Sequence, residues 1–420
     1  MSKEHQSIGI KQSILIYLIV ALFLVFEMAI QVAPSVMAPN IMNDLKLGTF
    51  DLGLMSGFYF YTYAFMQIPS GLLFDRFKPR VIIALSILVC SLGSLVFGFT
   101  DSYYGGCFAR LLTGLGSAFA FVSVLVVASD LFHPKYFAIL TGITQMLAAF
   151  GAMLGQMPIS KLVQILGWRN TLFFLSAIGL LLAALVWKLI NYERGCKPLL
   201  AEQFSNTPSI KISLKNIVSN SQTWFIALYA MLLWAPMSGF ASLWGVQFLA
   251  KADNLTPTSA AFYCSLMWLG LAFFSPLLGL FATKINSKWF PLVLSASIGT
   301  ISFGFILGMK LSGFYLGLGL FLAGAACAGQ SLSFALIKDN NSDDVKATAL
   351  AFNNMAVVIS GAIFQPLIGR LISKNNFPGA SNTLEEYKFG LTAILIAYVL
   401  ATFISIFFIK EKKNLGALKF

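Results

Sequence analysis

Two ionisable side chains lie deep inside long apolar runs of this sequence: Glu27, in the run that opens near Ser13, and Arg110, in a later one. Charge in hydrocarbon is costly unless it meets an opposite charge, a hydrogen-bond partner or water, so an acid and a base held there point to proton handling or to recognition of a charged solute. Gln31 falls one helical turn after Glu27. Further amides stand in other apolar runs, at Gln67, Gln145, Gln156, Gln330, Asn353, Asn354 and Gln365, and each needs protein or water to satisfy it. Tyr59 and Tyr63 are one turn apart, and Trp234 stands beside Pro236, where a helix would bend. Rings with a polar tip suit a solute pocket, though packing and lipid contact use them too. Gln330, Asn353 and Asn354 read equally as pocket groups or as hydrogen bonds that hold helices together.

Little else could do chemistry. His5 and His133 are the only histidines, and the five cysteines, at 90, 107, 196, 264 and 327, share no ligand spacing. Neither a metal site nor a nucleophile–base group has material to work with, so no metal, no organic cofactor and no enzyme are expected. Four of the cysteines lie inside apolar runs and read as buried free thiols.

The elements that must position these residues are membrane helices. Of 420 residues, 58% are hydrophobic and 10% charged, with a mean hydropathy of +0.81, a balance that describes a multi-pass membrane protein. Runs long enough to cross a bilayer core of about 30 Å recur twelve times, at about 12–37, 50–74, 80–100, 103–130, 136–164, 168–191, 222–250, 258–283, 288–310, 312–338, 345–373 and 387–409. The first is too long for a signal peptide and carries Glu27 in its middle, so it reads as an uncleaved helix. At 1.5 Å per residue, Glu27 lies roughly 22 Å above one face and Arg110 roughly 10 Å below the other. Those depths nearly coincide, so the two could form an ion pair facing a central cavity. The alternatives are snorkelling of Arg110 to the headgroups and a neutral Glu27 hydrogen-bonded beside Gln31.

The formal charge of +12 is spread over short loops, which speaks for topology and against a nucleic-acid partner. With the N-terminus inside, cytoplasmic segments hold nineteen of the 28 Lys and Arg residues and outer segments eight, leaving Arg110. The positive-inside rule then puts both termini in the cytoplasm of an inner (plasma) membrane. The divisions are a tail at 1–11, a six-helix bundle at 12–191, a polar linker at 192–221, a second bundle at 222–409 and a tail at 410–420.

Two similar halves are visible. At an offset of 209, Met146, Gln156 and Lys161-Leu162 match Met355, Gln365 and Arg370-Leu371, and Ser129-Asp130 aligns with Lys338-Asp339; at 208, Gly71, Arg76 and Arg80 match Gly279, Lys284 and Lys288. The centres of helices 3, 6, 9 and 12 lack Asn, Gln and charge, as lipid-facing helices should. The fold class expected is therefore all-α integral membrane, with twelve transmembrane helices in two pseudo-symmetric six-helix bundles.

The stretch Gly71-x-x-x-Asp75-Arg76-x-x-x-Arg80 between helices 2 and 3 resembles a signature of the major facilitator superfamily of secondary transporters. Arg110-x-x-x-Gly114 and Gly167-Trp168-Arg169 are also similar to that family's motifs. The resemblance implies helices 1, 4, 7 and 10 around a cavity and a cytoplasmic latch in which Asp75 meets the start of helix 11 while Arg76 and Arg80 meet Asp130. Helix 5 departs from the family's antiporter signature: Gly142, Gly151 and Gly155 fit, but Gln156 stands where proline belongs. Proton symport of a small anionic or zwitterionic solute is thus favoured over drug or siderophore efflux. Glu27, Arg110 and Gln31 would couple substrate to protons, and Tyr59, Tyr63, Trp234, Gln330, Asn353 and Asn354 would line the pocket. The expected partners are a small-molecule substrate and the lipid bilayer, with the chain monomeric. From outside the transporter class, a membrane receptor or an intramembrane enzyme would need a soluble domain or a catalytic constellation.

Overall fold

The computed structural model describes residues 9–133, 136–190, 216–342, 345–373 and 382–411. Most of the expected linker and both tails, with Cys196 and His5, lie outside the described residues. All regular structure among the described residues is helical. The helices are α1 (Ile10–Val32 and Pro34–Asp44), α2 (Thr49–Arg76), α3 (Pro79–Phe99), α4 (Tyr103–Ser117 and Ala120–Leu131), α5 (Phe137–Leu154 and Met157–Leu166) and α6 (Trp168–Leu189). There follow α7 (Ser221–Ala235, Pro236–Trp244 and Gly245–Ala252), α8 (Pro257–Lys284), α9 (Trp289–Gly308), α10 (Gly313–Cys327 and Gln330–Asn340), α11 (Lys346–Ile372) and α12 (Leu384–Phe407).

Eleven of the twelve are long and apolar enough to cross a membrane. The other, α2, is as long but carries Tyr59, Tyr61, Thr62, Tyr63 and Gln67. Its position explains the polarity, because α2 is wedged against α11 of the other half instead of facing lipid along its length. Gly53, Gly57 and Gly361 permit the wedge; a side chain at Gly53 would meet the Gln365 carbonyl at 2.5 Å.

Helix ends follow local chemistry. Ser102, Asn220, Thr256 and Thr383 cap their helices by accepting backbone N–H bonds, and Pro34, Pro79 and Pro257 occupy the first turn, where a missing N–H costs nothing. Gly167, at φ +78°, turns the chain directly from α5 into α6, a conformation that favours glycine. Both α4 and α10 are interrupted after about fifteen residues, at 118–119 and 328–329. That equivalent breaks fall 210 residues apart shows the internal repeat in the backbone itself.

Within the halves, α1 packs on α4 and α5, α3 on α4 and α6, α7 on α11 and α12, and α10 on α8 and α9. Exposed aromatic and aliphatic rows run along α3, α6, α9 and α12, including Leu85, Leu181, Ile301 and Phe403. The halves meet through α2 with α11, α5 with α8, and the second segment of α1 with α7. The last contact lies on the face opposite to the one where α1 begins and α12 ends. On the terminal face, Ala120–Leu131 and Gln330–Asn340 make their main contacts within their own halves.

Short polar ties brace both faces. On the opposite face Trp168 Nε1 donates to Asp44 at 2.8 Å, and Arg169 pairs with Asp101 at 2.6 Å while stacking on the Trp168 ring. The Gly-Trp-Arg motif thus joins the end of α1 and the α3–α4 loop to the start of α6. On the terminal face the Glu411 carboxylate accepts from Ser287 Oγ and from the Lys288 and Trp289 amides, tying the tail to the α8–α9 loop.

Candidate functional site

Glu27, Tyr59 and Arg110 meet where α1, α2 and α4 cross, and they are 1%, 0% and 2% exposed. Glycines bring the three helices together. A side chain at Gly114, one turn after Arg110, would strike the Tyr59 carbonyl at 2.1 Å and the Thr62 hydroxyl at 2.4 Å, so α4 can lie on α2 only with glycine there. Thr62 Oγ1 seals this crossing by donating to the Leu111 carbonyl at 2.9 Å. Gly151 and Gly155 of α5 press on the Val25 and Ala29 carbonyls on either side of Glu27. These helix 5 glycines serve close packing, while Gly142 faces open space.

The expected direct ion pair is not what forms. Tyr59 stands between the partners: its hydroxyl donates to Glu27 Oε1, and the Arg110 guanidinium lies over its ring, 4.7 Å from the centroid. The ring offers a negative face to the cation and a hydroxyl to the carboxylate, so both charges are met without touching. Glu27 Oε2 and Arg110 Nε make no hydrogen bond. Ser117 and Cys90, in contact at 3.5 Å, flank the carboxylate. Gln31 is buried one turn on, but the Glu27 bond goes to Tyr59 instead. A second correction concerns access: the acid and base were expected on a water-facing wall, whereas here they are sealed.

The partly exposed members of the expected pocket are Tyr63, Trp234 and Asn354, joined by Gln67. Tyr63 stacks beside Tyr59 at 5.7 Å between centroids. The Asn354 amide donates to Gln67 Oε1, linking α11 to α2 across the halves. Asn353 points elsewhere, donating to Ser333 of α10 at 2.8 Å, and is fully buried. Gln330 is buried at the α10 break. Trp234 packs edge-on to Trp268 at 6.5 Å.

Of the expected latch, Arg80 stacks on Trp187 at 4.7 Å, and Asp130 is half-buried at the end of α4. Gly71 lies within α2, and the side chains of Asp75 and Arg76 lie outside the described residues. In the other half, Lys288 forms an ion pair with Asp339 at the positions that match Arg80 and Asp130. Among the described residues no cluster of three His, Cys, Asp or Glu could hold a metal, and Cys90, Cys107, Cys264 and Cys327 are buried free thiols.

Sequence reasoning missed the centrality of Tyr59, though two spacings carried it: one turn from Tyr63, and opposite an arginine with glycine one turn on. It also missed the use made of Gln156. Pro236, which lacks an N–H, starts a π-helical stretch, Pro236–Trp244, in the middle of α7. Gln156 of α5 reaches across the halves and donates to the Ala241 carbonyl of this stretch at 2.7 Å, while Gln365 of α11 donates to the Ser238 carbonyl at 2.8 Å. Trp244 Nε1 returns a bond to the Gln365 carbonyl at 3.0 Å.

A sequence model of the Major Facilitator Superfamily matches residues 18–365. The chain is 28% identical to the probable sulfoacetate transporter SauU of Cupriavidus necator, over 35% of this chain and 34% of that protein. It is 23% identical to the hexuronate transporter of Bacillus subtilis over 56% of each chain. The alignments thus span about a third to somewhat over half the length of these curated relatives. A crystal structure of a bacterial homolog of the human lysosomal transporter Spinster, inward-facing and unoccupied, superposes with a TM-score of 0.78 at 18% identity, covering 94% of this chain and 97% of that one. At that identity the likeness concerns the fold.

Proposed function

The chain belongs to the major facilitator superfamily, and from that premise we propose that it is a secondary transporter which moves a small organic anion together with a proton by alternating access. The observation that carries this reading is the buried acid and base joined through Tyr59 in an interior that, among the described residues, buries no other charged side chain. An arginine with uncommitted donors recognises a carboxylate or sulfonate through parallel hydrogen bonds, and a nearby carboxyl can take up and release a proton as its surroundings wet and dry. The organic anions after which the two relatives are named are of this chemical class.

In this reading the structure is a state closed on the face opposite the termini, where the second segment of α1 meets α7. Substrate reaches the site from the terminal, cytoplasmic face past Tyr63, Gln67, Trp234 and Asn354. Import follows when the closed face opens, takes up anion and proton, and closes again. Asp75, meeting the start of α11, with Arg76, Arg80 and Asp130 behind it, acts as the latch of the terminal face when it closes, while Lys288–Asp339, already formed in this state, braces the second half internally.

The test is uptake by proteoliposomes of a panel of labelled organic anions, including a hexuronate and sulfoacetate, with and without an imposed proton gradient. Glu27→Gln should abolish gradient-driven accumulation and keep anion exchange. Arg110→Lys, which replaces a planar fork by a point charge, should raise KM by about tenfold to a hundredfold, the equivalent of roughly 1.5–3 kcal/mol for a charge-assisted pair. Accumulation by Glu27→Gln against its gradient under a proton-motive force would refute the coupling.

A further inference from the structure

We propose that Tyr59 is a positioning residue that keeps Glu27 and Arg110 apart, so that the acid remains free to change protonation and the guanidinium remains free for the substrate anion. The proposal rests on the reading that Glu27 carries the proton and Arg110 the anion. Its basis is geometric. An acid and an arginine on crossing helices, both sealed from water, would ordinarily pair, because an unpaired buried charge is far costlier than a paired one. Here a phenol stands between them, donating to one and lying under the other.

The position of the ring is fixed by backbone. Gly114 holds α4 against the Tyr59 carbonyl itself, so the residue cannot withdraw without parting two helices. Phe60, on the next position, packs edge-on to the Tyr59 ring at 4.9 Å, and Tyr63 covers it from the following turn. A tyrosine also suits both states of the acid. When Glu27 is ionised, the phenol donates to it; when Glu27 is protonated, its own O–H can donate to the phenol oxygen, and no proton is lost from the tyrosine in either case. A direct ion pair has no such symmetry. It favours the ionised acid, and it occupies the donors an incoming anion needs.

The groups that face Glu27 are few. They are Tyr59 and Tyr63 from α2, Cys90 from α3, and Arg110 and Ser117 from α4. The neighbouring α5 contributes Gly151 and Gly155, which titrate nothing. Among the described residues Arg110 is therefore the one cation in reach, and the Tyr59 ring lies against its guanidinium.

Tyr59→Phe keeps the ring and removes the hydroxyl that holds Glu27 Oε1, so the released carboxylate should turn past the ring edge and pair with the guanidinium. The first readout needs no substrate: the infrared carbonyl band of the protonated Glu27 carboxyl, identified by its loss in Glu27→Gln, is titrated with pH in the purified protein. Tyr59→Phe should move its midpoint at least one unit to more acid pH. In the uptake assay, with whichever anion of the panel is transported, KM should rise about tenfold. In the Glu27→Gln background the same change should alter KM less than threefold, because no acid is left to capture the arginine. An unchanged infrared midpoint, or an equal rise of KM in both backgrounds, overturns the proposal and leaves Tyr59 as packing. If Tyr59→Phe does not fold, Glu27→Gln/Tyr59→Phe should, since the group that needed the hydroxyl is gone; failure of that rescue overturns it equally. Gradient-driven accumulation by Glu27→Gln alone would instead sink the underlying coupling scheme and leave the titration result to stand.

Discussion

Gln156→Ala should tip the protein toward opening of the face opposite its termini. The side chain is fully buried at the break of α5 and donates to the Ala241 carbonyl in the π-helical stretch of α7, across the boundary between the halves. In the proposed alternating-access scheme, opening that face would separate α1 and α5 from α7 and α8, so this bond would exist in one state only. Removing it leaves that buried carbonyl only the weak Cys264 Sγ bond at 3.6 Å from another helix, and a background without native cysteines lacks that too, so the loss costs about 1–3 kcal/mol. Part of that is offset, because Gln156 Oε1 has no partner of its own and its burial disfavours the closed state in the parent protein. A net loss of about 1–2 kcal/mol shifts the ratio of open to closed by roughly fivefold to thirtyfold.

Thiol accessibility reads that ratio directly. Thr49 is buried at the start of α2 and donates across the halves to the Gly369 carbonyl, so a cysteine there is shielded in the closed state. In a background free of native cysteines, Thr49→Cys should react with a membrane-impermeant maleimide roughly fivefold to thirtyfold faster when Gln156→Ala is added. Gln145→Ala, on the same helix but exposed, should leave the rate as it was. A Gln156→Ala rate within twofold of the parent would mean that the amide is a passive filler and that the closed face is held by apolar packing alone.

Two further outcomes follow from packing and topology. Gly114→Ala would place a methyl 2.1 Å from the Tyr59 carbonyl, so it should cost about 1–3 kcal/mol of stability by overpacking and depress driven uptake; Gly142→Ala, with nothing within 4 Å, should be silent in both measurements. Cysteines at Asn43 and Asn254 should label from outside intact cells with an impermeant reagent, and one at Ser205 should not; labelling of Ser205 would reverse the proposed orientation.

The frame was legible because a bilayer reduces folding to a question of length and polarity. Twelve apolar runs became twelve helices within a few residues at each end, except that α1 runs seven residues past its expected end at 37, to Asp44, and the polar-free runs became the outer walls. What the sequence did not disclose is where side chains turn. Asn353 and Asn354 are adjacent and chemically identical, yet one bonds within its half and the other crosses to Gln67, because neighbours on a helix point about 100° apart. Depth along the membrane normal put Glu27 and Arg110 at one level, but it said nothing of what lay between them. Tyr59 could intervene only because Gly114 lets α4 settle on α2, and a glycine's use is visible only once its neighbour is known.

The repeat makes that asymmetry informative. Gln156 and Gln365 are equivalent by the 209-residue offset, and both reach α7: one from the opposite half, one from its own. The positions in α1 that match Ser238 and Ala241 are Ala29 and Val32, and there the chain makes no π-helix; Gly155 packs against the Ala29 carbonyl instead. The two halves thus share a frame and divide the labour. The first, with Glu27, Tyr59 and Arg110, holds charge, and its matching positions in the second are Pro236, Trp268 and Gly319, which hold none. The second supplies in α7 a helix whose backbone bonding is already irregular and is completed by side chains from both halves. A helix so completed loses bonds when the halves part, whereas a regular one would not. The proposed binding chemistry and the helix proposed to yield therefore lie on opposite sides of the boundary that alternating access would open.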